Sequence, residues 1–240
     1  TNAPALSGIL VIDKPTGFTS MDVCAIVRKK LRKGGAPKRV KVGHGGTLDP
    51  MAAGVLVVLV GKATPMCNEI MKGEKEYLAE IDLSRVSTTD DAEGDVTEVA
   101  GAREISRAEF EAAVAKFVGE IDQVPPDFSA VHVGGKRAYA LAREGEEVEL
   151  AARRVFVKSI KVVELAWPRA RAEVVCGKGV YIRSLARDIG RAMGVGGMLT
   201  ALRRTRVGEF GIERAVELKS LPEVMGQSDS SNCGACGRAC

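Results

Sequence analysis

The segment GHGGTLDPMAAGVLVVLVGKAT, residues 43–64, holds the two features from which the fold is read. Residues 55–60 (VLVVLV) are an unbroken apolar run with four valines. Such a run suits a strand buried on both faces, where β-branched side chains pack well and neither side meets water. Directly before it stands Gly43-His44-Gly45-Gly46-Thr47-Leu48-Asp49-Pro50. The glycines permit positive φ and close backbone approach, and Pro50 restricts Asp49 toward extended conformations. A carboxylate on a stiff loop beside a buried strand suits chemistry that needs one attack direction. Asp-Pro is also a common turn dipeptide, so the plain structural reading stands beside the chemical one.

Working outward, residues 10–12 read as a short strand entering the turn Asp13-Lys14-Pro15-Thr16-Gly17. Ser20 has the character of an N-cap, with Asp22 in the first turn and Val23, Ile26, Val27 and Leu31 at helical spacing. Gly34-Gly35 and Pro37 stop that helix. Residues 64–71 are predicted as a short helix, 76–83 as a strand and 84–95 as a polar loop. Ser106-Arg107-Ala108-Glu109 matches a capping box opening a helix through Phe117. Val124-Pro125-Pro126 breaks the chain, residues 129–133 with Gly134-Gly135 read as strand and turn, and 138–143 as a helical turn. Strands are predicted at 155–163 and 170–176, and an amphipathic helix at 181–193 that stops at Gly194. Irregular alternation of strands and helices points to an α+β fold with a mixed sheet rather than a doubly wound one. One domain is expected over residues 1–226, followed by a tail at 227–240.

The 240 residues (25.4 kDa) are 45% hydrophobic and 28% charged, ordinary values for a globular enzyme. Residues 55–60 fall far short of the roughly 18 apolar residues needed to span a bilayer, and no secretory leader is visible, so a soluble intracellular protein with no membrane partner is expected. The chain starts at Thr1, which leaves a processed mitochondrial protein open beside a cytoplasmic or nuclear one. Net charge is only +4, but it is segregated. Residues 28–41 carry eight basic side chains and no acidic one, and Arg183, Arg187, Arg191, Arg203, Arg204 and Arg206 form a second group. Segregated positive charge fits a polyanion such as nucleic acid; a solvated helix face is the plain alternative. Cys24, Cys67 and Cys176 read as reduced, packed thiols. Cys233, Cys236 and Cys240 have the spacing of thiolate ligands but only three donors, so a disordered tail and a metal site both stay open.

Common enzyme signatures fail. Residues 54–64 have too many positions between Gly54 and Gly61 for a phosphate loop, and Ala63 sits where a magnesium-binding hydroxyl belongs. With His44 and His132 the only histidines, a histidine metal centre is not expected, and no nucleophile-elbow sequence is present.

HGGTLDPMAAGVLVVLVGKAT, preceded by GILVIDKPTGFTS (residues 8–20), resembles the TruB family of RNA pseudouridine synthases. The resemblance continues in family order through GEKEYLAEIDL (73–83), VPPDFSAVHVGGKRAYALAREG (124–145), CGKGVYIRSLARDIG (176–190) and LTALRRTRVGEF (199–210). It implies a pseudouridine synthase fold, with a mostly antiparallel mixed sheet flanked by helices and an active-site cleft across it. It implies isomerisation of uridine to pseudouridine, most readily the T-loop uridine 55 of tRNA, with no cofactor and no metal. By the same matching Asp49 is the catalytic nucleophile, Tyr77 lies against the target uracil, and Arg183 pairs with Asp49. Tyr181 and Leu202 line the pocket, His44 enters the RNA loop beside Gly46 and Thr47, and Lys136, Arg137 and Arg203 contact phosphates. Lys14 and Pro15 brace the catalytic loop, and Asp90 and Asp91 match an Asp-containing loop.

The basic insert at 28–41 resembles the stand-alone eukaryotic members more than the bacterial ones. Only about thirty residues follow Phe210, so the further C-terminal RNA-binding domain of bacterial and archaeal members is not expected. A monomer on RNA is implied, with a protein partner or the basic insert replacing that domain. The alternative of another class is an RNA-binding ribosome-assembly factor of the same family, with a ribosomal RNA target or with catalysis secondary.

Overall fold

The computed structural model describes residues 7–129, 132–133, 136–137 and 150–225. Within the span read as one domain, the chain divides into two compact units. The first runs from the start to Glu76 and resumes at Arg203; the second is Tyr77–Leu202.

The first unit begins with β1 (Ser7–Lys14), helix α1 (Ser20–Lys33), β2 (Val42–His44) and β3 (Ala53–Gly61). β3 contains the valine run. Every residue from Gly54 to Val60 is buried, so both faces are covered as the composition requires. On one face Val55, Val57 and Leu59 pack with Val11, Ala63, Val207 and Phe210; fully burying a side chain of this size stabilises by about 1.5–3 kcal/mol. β1 runs antiparallel to β3 from Ser7↔Gly61 to Lys14↔Gly54, and β2 pairs antiparallel along part of the same strand.

Helix α1 is capped by Thr19 rather than by Ser20. Thr19 and Asp22 form a reciprocal capping box. The expected cap residue is instead the first helical residue, its hydroxyl engaged elsewhere, as described below. Val23, Cys24, Val27 and Leu31 are the buried stripe. The predicted helix after β3 is a 3₁₀ turn (Thr64–Met66) followed by α2 (Cys67–Lys72).

The chain crosses to the second unit within β4 (Lys75–Asp82). The predicted polar loop contains a two-stranded hairpin, β5 (Arg85–Ser87) with β6 (Val96–Glu98). Helix α3 (Arg107–Ala115) starts from the expected Ser106/Glu109 capping box. There follow β7 (Gly119–Gln123), the short pair β8 (His132–Val133) and β9 (Lys136–Arg137), then β10 (Arg153–Ala166) and β11 (Arg169–Cys176). Helix α4 (Ile182–Met193) ends at Gly194, which is left-handed at φ 69°. The strand order in this unit is β4-β11-β10-β7, and α3 lies against β10 and α4.

The return to the first unit occurs within β12 (Met198–Val207), which lies parallel to β3; β13 (Phe210–Gly211) pairs with β12, and β14 (Val216–Glu217) lies parallel to β1. With four α-helices among the described residues and mostly antiparallel pairing, the fold is α+β with a mixed sheet, as the sequence implies. No helix among the described residues is long and apolar enough to cross a membrane. The helical turn predicted at 138–143 and the cysteine tail lie outside the described residues.

Candidate active site

In the first unit, the loop bearing Asp49 is held by its own backbone from several sides. Gly45 N–H donates to Val57 carbonyl at 2.8 Å, carrying the chain off β2 along β3. Gly46 turns with φ 130°, a region that an L side chain rarely adopts. The Ser20 hydroxyl accepts from Leu48 N–H at 2.9 Å and donates to Leu48 carbonyl at 3.0 Å. This is why α1 needs Thr19 for its cap: Ser20 is committed to the loop.

Lys14 is 0% exposed, and its ammonium donates to the carbonyls of Pro15 (2.9 Å), Phe18 (2.8 Å) and Pro50 (3.4 Å). Gly17 N–H reaches the Pro50 carbonyl as well, at 2.8 Å. The bracing role expected for Lys14 is therefore what its contacts perform. Arg204, 2% exposed, supplies a third hold. Its Nε donates to Val55 carbonyl (2.8 Å), and its terminal nitrogens donate to Thr47 (2.9 Å) and Gly46 (3.1 Å) carbonyls. A planar guanidinium with donors fanned in one plane suits three carbonyls arrayed this way, where an ammonium would not. Gly54, at φ 107°, lets β12 come alongside: a Cβ there would collide with the backbone of Arg204.

Asp49 is half-buried, and its carbonyl accepts from Ala52 N–H at 3.1 Å, closing the turn into β3. Backbone on both sides of this carboxylate is thus fixed, at Gly46, Thr47 and Leu48 before it and at Pro50 after it. His44 is half-buried with Nδ1 lacking a hydrogen-bond partner. Burial, and then the positive charge of Arg204, hold its pKa below the usual imidazole value, so it stays neutral near pH 7. Arg203 pairs with Asp13 at 2.7 Å while remaining partly exposed, so a phosphate at this site has to share the guanidinium with a carboxylate. Arg206 joins Glu74 (2.7 Å) and Glu76 (2.6 Å), which raise its pKa further.

In the second unit, Tyr77 is half-buried on β4 and Leu202 is buried on β12. Gln123, at the end of β7, clamps the Tyr181 backbone: Tyr181 N–H donates to its Oε1 (2.8 Å), and its Nε2 donates to Tyr181 carbonyl (3.1 Å). That clamp sets the entry into α4, whose second residue is Arg183.

Arg183 is buried and donates to the carbonyls of Thr89 (3.1 Å) and Phe128 (3.0 Å), with the Asp91 carboxylate at 3.4 Å. Asp91 is 2% exposed and also accepts from Thr89 hydroxyl and Glu93 N–H. Its neighbour Asp90 adopts φ 62° and meets Arg187 at 2.7 Å; Arg187 also reaches Asp188 (2.9 Å) and the Val124 carbonyl (2.9 Å). Burial outweighs these cations and raises the Asp90 pKa. Lys136 and Arg137 form β9.

The expected site residues therefore form two groups. His44, Gly46, Thr47, Asp49 and Arg203 belong to the first unit; Tyr77, Lys136, Arg137, Tyr181, Arg183 and Leu202 belong to the second. Sequence reasoning missed Ser20 as a loop anchor, Arg204 as a carbonyl clamp, Gln123, and the direct contact of Asp91 with Arg183. A signal existed for Arg204: two positions after Leu202 on one strand, it shares that residue's inward face.

The family model described as TruB family pseudouridylate synthase (N terminal domain) matches residues 30–182. A second, described as tRNA pseudouridylate synthase B C-terminal domain, matches residues 183–232, a span that the sequence pattern assigns almost wholly to the catalytic domain. The class is that of the pseudouridine synthases, which are isomerases. A tRNA pseudouridine synthase B of Mycobacterium sp. (strain KMS) is 48% identical over 220 residues, covering 90% of this chain and 72% of the relative. The protein of that name from Phocaeicola vulgatus is 42% identical, covering 92% and 94%. These relatives are bacterial, against the eukaryotic leaning read from residues 28–41, a stretch that here is the last turns of α1 and the loop into β2.

Among solved structures, a chain of a Cbf5-Nop10-Gar1 complex superposes with TM-score 0.68 at 33% identity, covering 89% of this chain and 53% of that one. This chain spans about half the length of that protein. A structure of an H/ACA RNP bound to a substrate RNA containing 2'-deoxyuridine gives TM-score 0.66 at 30% identity, covering 89% and 52%. The chain belongs to the TruB family.

Proposed function

We propose that this protein isomerises the T-loop uridine 55 of tRNA to pseudouridine, with Asp49 as nucleophile. The observation that carries the reading is the fixing of backbone on both sides of Asp49 by Ser20, Lys14 and Arg204. A side chain mounted on such a loop keeps one approach direction, which is what attack on a sugar carbon demands. Relatives named tRNA pseudouridine synthase B at 42–48% identity support tRNA as the substrate.

In this proposal the target uridine is turned out of its stack, at a cost of a few kcal/mol. The Asp49 carboxylate takes C1′ as the N1–C1′ bond breaks. The uracil turns and its C5 displaces the carboxylate to form the C5–C1′ bond. C5 then loses its proton and N1 gains one, so composition is unchanged. Tyr77 stacks on the uracil and assists the proton loss, worth about 1–3 kcal/mol for the stacking alone. Arg183 is the cationic partner of Asp49 in this reading. Tyr181 and Leu202 line the uracil pocket, and His44, neutral, fills the space that the base vacates. Lys136, Arg137 and Arg203 hold phosphates.

The test is site-resolved mapping of pseudouridine in a tRNA transcript incubated with the protein. Product at position 55, absent without protein, is expected; a transcript left unmodified overturns the proposal. The likeness to a Cbf5 chain from a multi-protein complex favours a second reading, in which the protein acts on ribosomal RNA or in its assembly. Stable retention on ribosomal precursors together with an unmodified tRNA transcript is the outcome that selects it.

A further inference from the structure

The basic residues of 28–41 are not equivalent. Arg28 donates to Val42 carbonyl at 3.0 Å, Lys30 reaches the carbonyls of Leu221 and Pro222 at 3.1 Å, Lys33 pairs with Glu223, and Arg32 donates to Lys38 carbonyl. These four are spent on structure. Arg39 and Lys41 are exposed and make no ion pair with a described residue, and neither does Lys62, exposed just beyond β3.

These three unspent cations belong to residues that line one cavity of about 390 Å³. Its apolar lining comes from Pro37, Val40 and Pro65, and no carboxylate lines it. The walls are tied together by backbone: Gly61 N–H donates to Lys41 carbonyl at 2.8 Å and Val40 N–H to Pro37 carbonyl at 2.9 Å. Three exposed cations lining one cavity that no carboxylate lines form a site for a polyanion.

Position along β3 says where on an RNA substrate such a contact would fall. The cavity lies at the Gly61 end of the strand, whereas Asp49 leads into the Ala53 end. At about 3.3 Å per residue, the strand separates these ends by roughly 25 Å. His44, on β2 opposite Val58, stands between them. We infer that this cavity binds the phosphodiester backbone of the RNA substrate at a point several nucleotides from the uridine that reacts. The inference rests on the function proposed above and adds to it a second hold on the RNA, within the first unit. Phosphate contacts of this kind fix register without reading sequence, and they release counterions.

The test is the triple variant Arg39→Ala/Lys41→Ala/Lys62→Ala in the full chain, compared with Lys116→Ala/Lys161→Ala/Lys219→Ala, which removes the same charge from other exposed positions. Binding to a full-length tRNA transcript is measured across a salt series. The cavity variant is expected to bind roughly ten-fold more weakly near physiological salt, and its slope of log K against log salt to flatten by about 2–3. KM rises while turnover at saturating RNA is retained. Equal affinity and slope for the two triple variants overturns the inference and points to an acidic protein surface as the occupant. Failure of the functional reading is distinguishable, because then the unaltered protein leaves the transcript unmodified.

Discussion

Arg204 in the first unit, which holds the loop of Asp49, and Arg183 in the second, itself a candidate catalytic residue, are both buried guanidiniums, and they are satisfied differently. Arg204 donates to three backbone carbonyls and meets no carboxylate among the described residues. Arg183 donates to two carbonyls and faces the buried carboxylate of Asp91. Three carbonyls from two segments of chain fix the shape of a loop, which is the requirement next to Asp49. A carboxylate together with two carbonyls fixes the aim and charge of one side chain, which is the requirement for a group that serves another charge.

The difference is open to attack from either end. The largest loss is expected for Asp91→Ala, which removes a buried carboxylate facing Arg183 and leaves the Thr89 hydroxyl and Glu93 N–H without that acceptor; breaking such a buried pair costs about 3–5 kcal/mol, read as a lower urea midpoint. Loss near zero would mean that the Asp91 carboxylate adds nothing at Arg183 and that the contrast with Arg204 is empty. Next comes Arg204→Leu. It removes the charge but leaves carbonyls of Gly46, Thr47 and Val55 without their donors, a loss of about 3 kcal/mol in the same measurement. Arg204→Lys, which keeps the charge without the fan of donors, is expected to recover this only in part. Both Arg204 variants should lower the rate of pseudouridine formation more than they weaken RNA binding.

The smallest effect lies at the capping box of α3. Hydrogen bonds from Arg103 and then Ser106 hold the Glu109 carboxyl down at about 2, against 4.5 for a free one. A depressed carboxylate contributes stability that is fully present above the unfolded value and lost as pH falls toward the folded one. The stability difference between the unaltered protein and Glu109→Gln should therefore be constant above about pH 5 and shrink between about 4.5 and 2. A difference independent of pH across that window contradicts the assignment.

Much of the fold can be read from residues whose local preference agrees with their tertiary role. The valine run of β3, the Ser106/Glu109 box and the Gly194 stop are of that kind. The misses share one cause. Ser20, Asp91 and Arg204 are polar residues whose partners are distant in sequence, so periodicity and propensity assign them to caps, loops or solvent. Asp91 is hidden in a stretch that reads as polar loop, yet it is buried because Arg183, 92 positions on, brings it a charge. β12 was obscured in the same way: its arginines read as a basic cluster, while the strand places Arg204 inward and Arg203 against Asp13. For the catalytic set, the family resemblance supplies what pattern alone does not.

The most direct measurement concerns the loop itself. Asp49→Asn keeps size and shape, alters none of the backbone holds of Ser20, Lys14 and Arg204, and removes the charge of the nucleophile. The altered protein should melt within a few degrees of the original, bind the tRNA transcript with unchanged affinity, and form no pseudouridine in it. Pseudouridine made by Asp49→Asn at the original rate would contradict the account.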